Sequence, residues 1–221
     1  MILKPLIENW QLLLEGTFMV IKLFLATLIF ALPLGLPIAL GANSRIYPIR
    51  LLCQGYVWVF RGTPLLMQMF FFYFFIPINI GVAPSLFSTI AFTFVLNYAA
   101  YFAEIYRGGI NSIDRGQFEA AHSLGLTKWQ TTRDIVLPQT MKAILPSIFN
   151  EVITLVKDTA LAQTLGMMEL MKVTYGIVNR TSMTTIFLYT AIIYLLLNLI
   201  ITLVAGKLEA HFSRYDAKEE F

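Results

Sequence analysis

Arg115-Gly116-Gln117-Phe118-Glu119-Ala120-Ala121-His122-Ser123-Leu124-Gly125, with Ile135-Val136-Leu137-Pro138 a turn or two further on, is the stretch on which the fold turns. As a pattern it reads E-A-A, three residues, G, nine residues, I-x-L-P. Residues Arg115–Leu124 suit a helix, and Gly125 is placed to end it in the left-handed conformation. Thr127 with Gln130 three residues later has the spacing of a capping box, which satisfies two orphan backbone donors at the start of a second helix. Glu119 is expected in the first turn of the first helix, where its charge suits the dipole. Pro138 is expected to close the unit, because the residue before a proline avoids helical geometry. Phe118, Ala121, Leu124, Trp129, Ile135 and Val136 recur at spacings that could fill a groove on another protein. Such a unit either packs on its own domain or gives a partner something rigid to push on.

What flanks this loop is almost wholly apolar. The chain of 221 residues is 57% hydrophobic and 13% charged, with a mean hydropathy of +0.71. A soluble domain carries about 25% charged residues, so the composition specifies one polytopic, all-α membrane domain over 1–221. A single cysteine, Cys53, excludes a disulfide framework within the chain. With only two histidines, His122 and His211, no metal site is expected. The start, Met1-Ile2-Leu3-Lys4-Pro5, has no compact signal peptide with a small-residue cleavage site, so the first apolar segment is expected to stay in the membrane.

Crossing a hydrocarbon core takes about 20 apolar residues. Five stretches qualify, near 16–40, 49–75, 85–106, 142–159 and 185–206, the fourth being short and polar. Lys22 and Arg61 fall inside spans and need a polar face or a route to the interface. Arg45, Arg50, Arg107, Arg115, Lys128, Arg133, Lys142, Lys207, Arg214 and Lys218 would share one side, and Lys4, Lys157, Lys172 and Arg180 the other. This bias puts the amino terminus outside, with the 108–141 loop and the carboxyl terminus in the cytoplasm. That arrangement needs an odd number of spans, which five satisfies.

The fourth span carries the chemistry. Ser147, Asn150, Glu151, Thr154 and Asp158 follow one another at steps of three, one, three and four, so all lie along one helix face. Two carboxylates on a membrane helix cannot face lipid, where each charge near the centre costs roughly 2.5–3.5 kcal/mol by insertion scales. Either the stripe is a structural ion pair, neutralised by Lys157, Arg61 or Lys22, or Glu151 and Asp158 receive the ammonium or cationic side chain of a solute along a water-filled path. The second span offers another wall. Gly62 and Pro64 weaken its helix, and freed carbonyls at membrane depth are tolerated beside a cavity. Thr63 and Gln68 would present hydrogen-bonding groups there, unless Thr63 merely re-satisfies a kink. The run Phe70–Phe75 reads as lipid contact and interface belt. Asn97, Tyr101 and Glu104 share a face of the third span and are expected to pack against other spans.

The loop pattern resembles, position for position, the cytoplasmic EAA motif of membrane subunits in bacterial ATP-binding-cassette importers. Phe60-Arg61-Gly62-Thr63-Pro64-Leu65-Leu66-Met67-Gln68, Ala103-Glu104-Ile105-Tyr106-Arg107-Gly108-Gly109-Ile110 and Lys157-Asp158-Thr159-Ala160-Leu161 resemble its polar amino acid (histidine, glutamine and arginine type) permease subfamily. The similarity covers roughly residues 15 to 210. It implies a type I importer fold in the bacterial plasma (inner) membrane, with Phe118, Glu119, Ala120, Ala121, Leu124 and Gly125 docking on a separate ATPase. It also implies a translocation path along the fourth span, where Glu151, Asp158, Lys157, Thr154 and Asn150, with Thr63 and Gln68, are the candidate substrate ligands. Implied partners are two ATPase subunits, which bind ATP and Mg, a second permease copy or a similar one, and an extracytoplasmic amino-acid-binding protein.

The chain itself has no G-x-x-x-x-G-K-[ST] loop for phosphate and no nucleophilic triad, so it is expected to be neither an ATPase nor any other enzyme, and to carry no cofactor. Two rival readings stand beside this one. An importer of the same architecture for a metal, an anion or a polyamine is the nearer, although a basic pocket for anions is at odds with Glu151 and Asp158. A transporter running without ATP would leave the bent loop purposeless and should show inverted-repeat symmetry, which the sequence lacks.

Overall fold

The computed structural model describes residues 4–212, and side chains from Leu6 onward. Within them every regular element is a helix. The helices are α1 (Lys4–Ala42), α2 (Tyr47–Gly62), α3 (Leu65–Ile80), α4 (Leu86–Asn111), α5 (Arg115–Ser123), α6 (Lys128–Gln130), α7 (Leu137–Asp158), α8 (Leu170–Thr181) and α9 (Thr185–Phe212). A π-helical turn, Thr131–Val136, joins α6 to α7, and a 3-10 turn, Thr159–Leu165, follows α7. Arg214 and Lys218, which entered the charge count, lie outside the described residues, as do Met1, Ile2 and Leu3.

Helices α1, α4 and α9 are long and apolar enough to cross a membrane, and α2 with α3 makes a fourth span if the bent pair is taken as one. The second span is therefore not one helix. Thr63 is extended at φ −119° and ψ 145°, the geometry favoured for a residue before proline, and the two arms meet at 107°. Helix α7 does not reach the apolarity of a span, because Lys142, Glu151, Lys157 and Asp158 fall within its 22 residues. Five spans are thus not established by length and composition. Helix α8 has no counterpart in the sequence reading. It starts on Glu169, whose buried carboxylate accepts hydrogen bonds from the Met171 and Lys172 amides at 2.8 and 2.7 Å.

The core forms where α1 lies along α4, with α3 and α7 closing over them. Leu23, Met69, Ile90, Phe94, Tyr98, Phe102 and Leu155 are buried together there. A second cluster, including Leu13, Val20, Val156, Leu170, Ile177 and Ile186, packs α8 and α9 onto α1 and α7. Within a bilayer such contacts hold by close packing rather than by removal from water. Two glycines set how closely the backbones approach. A methyl on Gly35 would stand 2.9 Å from the Phe102 Cβ, and one on Gly16 would stand 2.8 Å from the Leu170 Cα.

The loop folds as two helices about a bend. Asp114 caps α5 by accepting from the Gly116 amide at 2.6 Å. Glu119 is therefore in the second turn, not the first. Gly125 takes φ +74°; its amide donates to the His122 carbonyl at 2.9 Å and the Leu126 amide to the Ala121 carbonyl at 3.0 Å, the two bonds of a Schellman motif. The Thr127–Gln130 capping box is present. Pro138 does not close the unit. Leu137 is helical at φ −62° and ψ −46°, and the helix continues through the proline. Pro138 sits in the first turn of α7, directly after the π-turn Thr131–Val136.

Candidate functional site

Helix α7 places Glu151, Thr154 and Asp158 one above another, and the break between α2 and α3 places Thr63 and Pro64 opposite. With Arg61, Asn97, Tyr98 and Tyr101 they line a cavity of about 530 Å³. Asp158 is fixed by Tyr98, whose hydroxyl donates to its Oδ2 at 2.7 Å. Tyr98 is buried in the core, so the carboxylate is tied to it. The Thr154 hydroxyl donates to the Asn150 carbonyl at 3.0 Å. Among the described residues no hydrogen bond to the Glu151 carboxylate is formed, and it faces the cavity free to accept one.

Gln68 is otherwise engaged. Its buried amide donates to the Phe60 carbonyl at 2.9 Å, the Thr63 carbonyl at 3.1 Å and the Thr63 hydroxyl at 2.8 Å. Asn97 donates to the same Phe60 carbonyl at 3.1 Å and to the Gln68 Oε1 at 3.0 Å. The Thr63 hydroxyl in turn donates to the Val59 carbonyl at 2.8 Å. The backbone freed at the break is thus satisfied by side chains, as burial requires. Thr63 lines the cavity, but Gln68 is not on its wall.

Asn150 and Lys157 are exposed and do not line the cavity. Ser147, the lowest member of the stripe, borders a separate small cavity with Gly108, Gly109 and Ser112. Lys22 lies over the Phe87 ring at 4.6 Å, away from both carboxylates. Arg61, Asn97, Tyr98 and Tyr101 are polar wall residues that sequence reasoning did not choose as ligands. The signal for Tyr98 was a phenol in the middle of an apolar span, which needs a polar partner when buried.

At the loop, Ala121 and Val136 are buried while Phe118, Leu124 and Trp129 are 43%, 79% and 68% exposed. Glu119 and Ala120 are exposed as well. Gln139 donates to Gln117 at 3.2 Å and ties the start of α7 to α5. The result is an apolar projection held to the base of the same helix that carries Glu151 and Asp158. His122 and His211 are exposed, and among the described residues there is no cluster able to hold a metal ion.

A chain of apolar helices around a carboxylate-lined cavity, with a rigid loop at one end, defines a membrane transport component. This chain belongs to the family of binding-protein-dependent transport system inner membrane components, which it matches over residues 31–214. It is 42% identical over 158 residues to the putative glutamine transport system permease protein GlnP of Rickettsia conorii, covering 72% of each chain. It is 35% identical to two permease proteins of Bacillus subtilis. These are the L-cystine transport system permease TcyB, with 95% of this chain and 90% of that one covered, and the arginine transport system permease ArtQ, with 92% and 94% covered. Its fold matches the crystal structure of an amino acid ABC transporter with histidines at a TM-score of 0.86 and 32% identity, over 93% of this chain and 96% of that one. The MetNI methionine ABC transporter in inward-facing conformations shares the fold at a TM-score of 0.74 and 18% identity, over 93% of this chain and 98% of that one.

Proposed function

We propose that this chain is the transmembrane subunit of an ATP-driven importer of polar amino acids in the bacterial plasma membrane. The observation that carries this reading is the cavity between α7 and the broken α2–α3 pair, with two carboxylates on one wall. Relatives named for glutamine, cystine and arginine transport support the substrate class. Glu151 and Asp158 receive the ammonium group or a cationic side chain, with Thr154 and Thr63 beside them. Lys157, Asn150 and Gln68 stay outside this arrangement, at the exposed surface or in the backbone repair.

The chain crosses the membrane five times, with α7 as the polar span, the amino terminus outside and the carboxyl terminus in the cytoplasm. Two copies, or one copy and a similar permease, pair about a two-fold axis and place the stripe of each α7 on a path that lipid does not reach. The loop of each, through Phe118, Glu119, Ala120, Ala121, Leu124 and Gly125, docks on an ATPase subunit that binds ATP and Mg. An extracytoplasmic binding protein delivers the substrate. ATP binding opens the cavity outward and hydrolysis resets it inward. The apolar projection at the loop tip is what supports the docking.

The test is equilibrium binding of labelled arginine, glutamine and glutamate to the purified permease–ATPase complex, with Glu151→Gln beside it. Arginine binding weakened more than tenfold by the substitution, about 1.4 kcal/mol, is expected. Binding of glutamate alone, or no change in the variant, would move the site away from Glu151.

A further inference from the structure

Two cavities meet at Arg61. The cavity of the candidate site shares Arg61, Gly62 and Tyr101 with a second one between α2 and α4, also of about 530 Å³, whose wall includes Glu104 and Arg107. The Arg61 guanidinium lies over the Tyr101 ring, 5.3 Å from its centroid, and 3.9 Å from the Glu104 Oε1. That distance is too long for the charge-assisted hydrogen bond of an arginine–carboxylate pair, which closes to about 2.7–2.9 Å. Glu104 belongs to Arg107 instead, which donates to both of its oxygens, from Nε at 2.9 Å and from a terminal nitrogen at 2.5 Å. Arg61 is therefore the second and looser cation on a carboxylate whose charge is already paired. Its donors are free for another acceptor.

The candidate site needs such a donor. An amino acid brings a carboxylate as well as an ammonium group, and Glu151 and Asp158 repel the carboxylate. The neutral groups that sequence spacing offered it, Thr63 and Gln68, are held by each other and by the backbone of the break. Among the described residues on the cavity wall, Arg61 is the one cation, and it lies within electrostatic reach of Glu151. A guanidinium presents the planar pair of donors that a carboxylate accepts.

We propose that Arg61 binds the carboxylate of the substrate, swinging from Glu104 into the α7 cavity over the Tyr101 ring, so that the site selects α-amino acids over amines of the same side chain. This rests on the reading of that cavity as the substrate site. Glu151 and Asp158 hold one end of the zwitterion and Arg61 the other. Glu104, oriented by Arg107, is the position to which Arg61 returns when the cavity empties.

The test compares each amino acid with its decarboxylated counterpart on the permease–ATPase complex: arginine with agmatine, histidine with histamine, cystine with cystamine, and glutamine with 4-aminobutanamide. Wild type is expected to prefer the amino acid of at least one pair by tenfold or more. Arg61→Gln is expected to remove that preference by weakening the amino acid while the amine binds at least as well as to wild type, which also reports an intact fold. Arg61→Met, which keeps the stem over Tyr101, repeats the measurement should the glutamine variant fail to assemble. Glu151→Gln is expected to weaken both members of the pair. A preference that survives the loss of Arg61 overturns the role assigned to it and leaves the site standing. A wild-type complex that binds no member of any pair overturns the site and the proposal together.

Discussion

Gln68 shows how much of this site is backbone repair. Its amide, with that of Asn97, covers the carbonyls that the break at Thr63 and Pro64 leaves without helical partners. Gln68→Leu keeps the volume and removes the donors, at a cost of about 1–3 kcal/mol for unpaired buried carbonyls. The melting temperature of the purified complex is expected to fall by roughly 2–4 °C per kcal/mol. An unchanged melt with weakened substrate binding would return Gln68 to the role of ligand. The period of α7 made Glu151, Thr154 and Asp158 legible, because a helix of that length can be counted. Tyr98 and Gln68 were not legible in the same way. The partner of Tyr98 is sixty residues away, and the partners of Gln68 depend on an angle of 107° that no residue type encodes.

Among the elements, the bend of the loop was the most readable. Gly125, Thr127 and Gln130 act through neighbours in sequence, so their roles follow from spacing alone. The end of the unit was not readable, since Pro138 has two lawful positions, after a helix or in its first turn, and the π-turn that decides between them has no residue signature. Gly125→Pro would force φ to about −65° where the backbone takes +74°, and would remove the donor to His122. Membrane insertion is expected to be little affected, while ATP hydrolysis by the complex in vesicles proceeds without matching uptake. Coupled uptake at the wild-type ratio would end the idea of the loop as a lever.

For the whole molecule, the surface completes what the composition began. Leu188, Leu195, Leu196, Leu199, Ile200 and Leu203 are exposed along α9, a face that only lipid or a second apolar chain can cover. The number of crossings is harder to read, because hydropathy assumes that a span is straight and uniformly apolar. Here one candidate is bent and another is striped with charge. Single cysteines in a Cys53→Ala background separate the possibilities. With the proposed topology, Ser123→Cys is labelled by a membrane-impermeant maleimide only in inside-out vesicles and Ala83→Cys only in whole cells. Labelling of both from one side would exclude it.

The uninterrupted run from Lys128 through the π-turn to Asp158 has a mechanical consequence. Trp129 and Glu151 stand on one continuous run, at most about 33 Å apart at roughly 1.5 Å per residue. A proline stop at Pro138 would have inserted a joint between them, and joints have backlash: some of each stroke is lost before the far end responds. The run keeps its helical geometry across Pro138, and the places left where it could flex between Trp129 and Glu151 are the π-turn and Pro146. If the loop is gripped as proposed, the timing of the cavity would be set by that grip and passed on through these two points.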